Sequence, residues 1–389
     1  MRSNLLTGTD SRARDGPPGG CRWRPLASLT VTTSVPRPDG TVAGQATSGG
    51  ADDLAVAIRF ESVRKEYAGS VAVDDLSLAV RERELLVLVG PSGCGKSTTL
   101  RMANRLVEPT AGRIVLGDED VTDVDPVALR RRIGYVIQNV GLFPHRTVEQ
   151  NVATVPALLG WDRRRTRERV AELLTLVGLE PARYARRWPH ELSGGERQRV
   201  GVARALATDP PVLLMDEPFG AVDPVGRARL QQEFIRLQRD LGTTVMMVTH
   251  DIDEAVRMAD RVVVLSRGAR VEQLAPPLEI VARPASAAVA DLVGRGRTAR
   301  LLALGRLERA DLDDPPRGDG TTSAPTPGRT VRLGAELGDV VTALAAAVDT
   351  PDGGVVDVLD GAGHPVGTAS AGTVVRALHR LTTADPGPA

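Results

Sequence analysis

Residues 90–97 read GPSGCGKS. The stretch fits G-x-x-x-x-G-K-[ST], and it lies between a short apolar run, LLVLV at 85–89, and a helix signal from Lys96 to about Leu106. Glycines let the backbone curl until successive N–H groups point at one anion, and the start of a helix adds its positive dipole end. Lys96 supplies a mobile cation for β- and γ-phosphates, and Ser97 a hydroxyl for Mg²⁺. The chain has two lysines, Lys65 and Lys96, in a total of 49 basic residues. Keeping lysine inside the loop fits a compact ammonium, which a forked guanidinium cannot replace. Gly90, Pro91, Ser92, Gly93, Cys94, Gly95, Lys96, Ser97 and Thr98 form the expected phosphate cradle.

Two further apolar runs flank acidic and imidazole groups. VLLM at 212–215 leads into Asp216 and Glu217, and TVMMV at 244–248 into Thr249, His250 and Asp251. An acidic pair at the carboxyl end of a buried strand stands where an open α/β sheet builds its site. Asp216 is expected to hold Mg²⁺ through water, and Glu217 to take a proton from the attacking water. His250 ends the next strand, where it can contact the γ-phosphate and orient water and Glu217. Short apolar strands alternating with helices predict a parallel sheet covered on both faces. Residues 163–177 predict a helix with Val170, Leu173, Leu174 and Val177 on one face. VAIRFESVRKEY, from Val56, alternates as an edge strand does.

In full order, these motifs resemble the nucleotide-binding domains of ABC ATPases over about residues 56–292. GPSGCGKS corresponds to Walker A and VLLMDEP to Walker B. Gln138 in GYVIQNVGLFPH corresponds to the Q-loop, LSGGE at 192–196 to the signature, Asp223 in GAVDP to the D-loop and His250 to the switch histidine. Tyr67, 23 residues before Gly90, falls where the family stacks an aromatic on adenine. Glu196 stands where Gln is frequent, and Val222 where Leu is usual. The resemblance implies an α/β P-loop NTPase cassette: a RecA-like core, an antiparallel β edge and a helical subdomain at about 139–205. It makes Glu217, His250 and Gln138 catalytic and Ser97, Gln138 and Asp216 metal-binding. Nucleotide would be bound by Tyr67, the cradle residues, Ser193, Gly194, Gly195, Glu196 and Asp223, with ATP and Mg²⁺ as cofactors.

Ser193 to Gly195 precede a helix and form a second anion cradle. The resemblance answers the duplication with a head-to-tail homodimer, each signature loop capping ATP on the other copy. It also implies transmembrane permease subunits received near Gln138, where Leu142 and Phe143 read either as groove or as core residues. An extracytoplasmic solute-binding protein is the indirect partner. The expected location is the cytoplasmic face of a bacterial inner membrane, as a peripheral subunit. The longer runs around Gln138 and the signature resemble the glycine betaine/carnitine/choline osmoprotectant importers. Other small-solute importers (amino acid, polyamine or oxyanion) stand as the alternative. A non-transport ABC ATPase fits less well, since no heptad run separates the motif halves and one P-loop occurs.

The remaining sequence sets bounds. Basic and acidic residues number 49 each, so bulk electrostatics gives no reason to expect a nucleic-acid partner. Two cysteines, Cys21 and Cys94, make neither a disulfide framework nor a zinc spacing. No apolar run is long enough to span a membrane. Residues 1–53, rich in Gly, Pro, Ser, Thr and Arg, predict a disordered extension, or a segment upstream of the true start. Residues 54–293 form the cassette, 294–329 a linker, and 381–389 a tail. Residues 330–380 resemble a single CBS repeat, read either as a sensor or as a spacer.

Overall fold

A computed structural model of the chain describes residues 55–138, 141–220, 222–313, 330–348 and 354–383. The N-terminal extension, residues 314–329 of the expected linker and residues 384–389 lie outside the described residues, whereas residues 381–383 of the expected tail are helical.

The chain opens with β1 (Val56–Tyr67), β2 (Ser70–Arg81) and β3 (Leu85–Val89), then α1 (Lys96–Ala103), β4 (Ala111–Leu116), β5 (Glu119–Asp120), α2 (Pro126–Arg132) and β6 (Ile133–Val136). A helical layer follows: α3 (Val148–Val152), α4 (Thr154–Leu158), α5 (Arg163–Leu176), α6 (Pro181–Tyr184) and α7 (Gly194–Ala205). The core resumes with β7 (Val212–Asp216), α8 (Pro224–Leu241), β8 (Thr244–Thr249), α9 (Ile252–Met258), β9 (Arg261–Ser266) and β10 (Arg270–Ala275). Then come α10 (Pro277–Ala282), α11 (Ala287–Val293) and α12 (Arg297–Leu304), and finally β11 (Thr330–Arg332), α13 (Leu337–Ala347), β12 (Val356–Leu359), β13 (Pro365–Ala369) and α14 (Ala371–Thr383).

The central sheet has the order β10-β9-β3-β8-β7-β6. All its pairs are parallel except β10 with β9. The apolar runs are continuous because each strand is buried on both faces. Leu86 and Leu88, Val212 and Leu214, and Met246 and Val248 point into the cluster under β1 and β2. Their neighbours Leu85, Val87 and Val89, Leu213 and Met215, and Val245 and Met247 point into the cluster under the helices. In register, Val89 pairs with Thr249 and Asp216 with Val248, so three strands end at one rim. Whatever follows β3, β7 and β8 must meet there.

Two expectations change. VAIRFESVRKEY is not an edge strand: β1 lies between β2 and β4 in a four-stranded antiparallel sheet. Its alternation reflects one buried face, with Ile58, Phe60 and Val63 at 1% exposure or less. Nor is the first part of the expected linker a linker. It holds α12, whose Leu301 packs into the cassette's own core. The packed chain therefore runs on past residue 293. The C-terminal unit has its own cluster, including Val331, Leu337, Val340, Val358 and Leu381, beneath a three-stranded sheet ordered β11-β12-β13.

Candidate functional site

The Gly90–Gly95 turn is fixed by close approach. A Cβ on Gly90 would stand 2.2 Å from Leu265 O, and one on Gly95, at φ +113°, 2.5 Å from Ala72 O. The Lys96 ammonium, 6% exposed, donates to Gly90 O at 2.7 Å and Pro91 O at 2.9 Å. Cys94 is buried, and its N–H donates to Pro91 O. Pro91 has no N–H, so it shapes the loop without donating to an anion.

Ser97 Oγ donates to Asp216 Oδ1 at 2.9 Å, joining the start of α1 to the end of β7. The Arg101 guanidinium lies 3.9 Å from the other oxygen, Oδ2. Burial and the negative charge of Asp216 hold the nearby Tyr135 phenol above its ordinary pKa, against the opposing pull of Arg101. Among the described residues no group of three or more His, Cys, Asp or Glu is placed to hold a metal unaided. One hydroxyl beside one carboxylate still suits Mg²⁺, which takes most of its ligands from water and phosphate oxygens.

Glu217 sits one residue beyond, with φ +47°, a conformation that L residues rarely keep unless their surroundings enforce it. Here its N–H is held by Val248 O at 3.0 Å. Both carboxylate oxygens are engaged. Gln138 Nε2 donates to Oε2 at 2.8 Å, and His250 Nδ1 lies 3.1 Å from Oε1. Residues following β6, β7 and β8 thus converge on one carboxylate.

The LSGGE loop is a separate construction. Ser193 caps α7: its Oγ accepts from Glu196 N–H at 3.2 Å, while Glu196 Oε2 accepts from Ser193 N–H at 2.7 Å. Tyr184 Oη donates to Glu196 Oε1 at 2.7 Å. The Ser193 N–H holds the Glu196 carboxyl below the usual carboxylate range, with the Tyr184 hydroxyl helping and partial burial opposing. The N–H groups of Gly194 and Gly195, at the first two helical positions, remain as the orphan donors of the helix. No described hydrogen bond links this loop to residues 90–98.

The ABC transporter family profile matches residues 73–220. The osmoprotectant import ATP-binding protein OsmV of Salmonella typhimurium is 45% identical over 315 residues, covering 80% of this chain and 78% of that protein. The glycine betaine/carnitine/choline transport ATP-binding protein OpuCA of Bacillus subtilis is 51% identical over 241 residues, or 62% of this chain and 63% of that one. The chain belongs to the ABC transporter ATP-binding proteins. Its fold is the ABC cassette, and its reaction is ATP hydrolysis coupled to transport. The dimeric structure of MJ0796, a bacterial ABC transporter cassette, is similar at 35% identity with a TM-score of 0.52, covering 57% of this chain and 98% of that one. The same cassette bound to ADP and Pi gives 34% identity and a TM-score of 0.51 over the same shares.

In this ABC protein six of the expected residues come together and the others stand apart. Lys96, Ser97, Gln138, Asp216, Glu217 and His250 meet at the rim of the central sheet. Gln138 is bonded to Glu217 rather than to the Ser97–Asp216 pair. Glu196 uses its N–H and both carboxylate oxygens within the chain. Asp223 caps α8 by accepting from Gly226 N–H at 2.9 Å, so its carboxylate shapes the turn. Tyr67 ends β1 with its ring 45% exposed and the Lys65 ammonium 4.8 Å from its centroid. Leu142 is partly buried against the core, while Phe143 is 39% exposed. Arg101 was not expected. Its signal was its place four residues after Ser97, on the same face of α1.

Proposed function

We propose that this ABC ATPase powers uptake of a quaternary-amine osmoprotectant such as glycine betaine, carnitine or choline. The observation that carries the reading is the 45% identity to an osmoprotectant import protein over 315 residues. That match is longer than the cassette alone, so it takes in residues beyond the motifs common to all such ATPases.

In this reading the orphan N–H groups of the 90–97 loop and the Lys96 ammonium bind the phosphates of ATP. Ser97 and Asp216 would hold Mg²⁺, which would supply positive charge to offset that of the phosphates. Glu217 accepts a proton from the attacking water, and Gln138 and His250 fix the carboxylate that does so. Ser193, Gly194 and Gly195 serve a second copy, since an anion cradle that makes no bond to its own P-loop suits a head-to-tail dimer. Tyr67 offers the open face of its ring to adenine. No helix among the described residues is long and apolar enough to cross a membrane, and in this reading permease subunits carry the solute across. We place the dimer on them at the cytoplasmic face, with a solute-binding protein on the other side. Residues 330–380 are read as one CBS-like repeat, either a sensor that tunes activity to ionic strength or a spacer. Identical ATPase curves across ionic strength for the full complex with and without this unit would end the sensor reading.

The cargo is tested by deleting the gene and measuring uptake of labelled glycine betaine, carnitine, choline and spermidine at high osmolarity. Loss confined to the quaternary amines is expected. Loss of spermidine uptake alone would contradict the assignment.

A further inference from the structure

The turn that presents His250 is held by residues outside the six motifs. Thr249 Oγ1 accepts from Asp251 N–H at 3.1 Å. Asp251 caps α9, accepting from Asp253 N–H at 2.8 Å and Glu254 N–H at 3.4 Å. Glu254 is 6% exposed and accepts from Gln231 Nε2 of α8 at 3.0 Å. Burial pushes its carboxyl above the usual range, while hydrogen bonds from Thr249 and Gln231 pull the other way. One side of the turn is therefore anchored on α8.

The other anchor is Arg227, one turn into α8. Its Nη2 donates to Val222 O at 3.1 Å, and its Nη1 lies 3.9 Å from Asp251 Oδ2. Its Nε is buried and unpartnered. A group tied to a carbonyl on one side and drawn to a carboxylate on the other, at the expense of a buried N–H, is placed for geometry more than for stability.

We propose that Arg227 is a positioning residue for ATP hydrolysis, linking the Val222–Asp223 turn to the Asp251 turn and so setting where the His250 ring stands over Glu217. The planar guanidinium spans two fixed points, so a displacement of Val222 is passed to Asp251 rather than absorbed. Asp223 is one residue from Val222 and His250 one residue from Asp251. The turn carrying Asp223, placed above among the nucleotide-binding residues, is thus joined through Arg227 to the residue assigned to the γ-phosphate. This inference rests on the reading of Glu217 and His250 as reacting groups.

The test is steady-state kinetics of the full-length chain as Arg227→Met, Arg227→Lys, His250→Ala and the Arg227→Met/His250→Ala double variant. Arg227→Met is expected to lower kcat by about 10- to 100-fold while KM for ATP stays within about twofold, as a displaced catalytic group does. Arg227→Lys restores part of the loss, and carries the test if the Met variant does not fold. In the His250→Ala background, Arg227→Met is expected to cost nothing further. Full activity of Arg227→Met, or losses that multiply in the double variant, would overturn the positioning role and leave the site reading intact. A silent His250→Ala would overturn the site reading, and this proposal with it.

Discussion

Gln138 Nε2 donates to Glu217 Oε2 at 2.8 Å. The bond joins the residue leaving β6 toward the helical layer to the carboxylate beyond β7. A movement of α3–α7 therefore reaches Glu217 through Gln138. In Gln138→Ala, ATP binding is expected to persist while solute moved per ATP falls about fivefold or more, the size of an ordinary coupling energy. Transport at the wild-type rate by a reconstituted Gln138→Ala complex would contradict this.

The cradle is predicted to tolerate no side chain at Gly95. Its φ is +113°, and a Cβ would meet Ala72 O at 2.5 Å and Ala269 Cβ at 3.0 Å. Gly95→Ala should lose both ATP binding and about 1–3 kcal/mol or more of stability, the backbone cost alone. Gly93, at φ +77° with open space around it, should lose only about 1–2 kcal/mol on the same change. Melting curves and nucleotide titrations of the two variants check the contrast.

Much of this architecture is legible in three short runs. LLVLV, VLLM and TVMMV have no polar face, which dictates strands covered on both sides, and the residues after each run must gather at one rim. Gly-rich spacing then marks which rim binds phosphate. Other features were not legible because they depend on partners far away in sequence. The alternation of VAIRFESVRKEY shows one buried face but not that β4 pairs along its other edge. Resemblance to the signature loop placed Glu196 at nucleotide. Its bonds to the Ser193 N–H and to Tyr184, twelve residues earlier, show that both carboxylate oxygens are used internally. Arg101, Arg227 and Glu254 look like ordinary helix-surface charges until the turns they hold are in place. Leu301 lies beyond the last motif, where composition alone suggested a boundary.

Glu196 is predicted to be structural. Glu196→Gln keeps an acceptor for Ser193 N–H and a partner for Tyr184, so KM for ATP should stay within about twofold, as expected for a group that does not touch bound nucleotide. Ser193→Ala removes the helix cap and should cost about 1 kcal/mol. A large rise in KM for Glu196→Gln would show that the carboxylate contacts nucleotide after all.

The C-terminal unit depends on a buried ion pair. Asp311 is 2% exposed and accepts from Arg380 at 2.9 and 2.8 Å. Burial raises its pKa, but the Arg380 hydrogen bonds, the Glu308 N–H and the nearby arginine charges together bring it below the usual aspartate value. A depressed pKa means that the stabilisation is whole above about pH 4 and is lost as pH falls through the lower folded value. Arg380→Met should destabilise by about 3 kcal/mol at neutral pH, because a buried carboxylate loses its charged partner. The difference should narrow below about pH 4, as Asp311 takes up a proton. Urea melts at neutral and acid pH measure it, and a constant difference would show that packing, not charge, is lost.

The central claim is that Glu217 acts as the base of an ATPase site formed where β3, β7 and β8 end. The most direct measurement is the steady-state ATP hydrolysis rate of the full-length Glu217→Gln chain with Mg²⁺ present. The account predicts a fall of about 10²- to 10⁴-fold with ATP binding retained, because glutamine keeps the shape but cannot take the proton. Turnover at the wild-type rate would contradict it and require another residue to be the base.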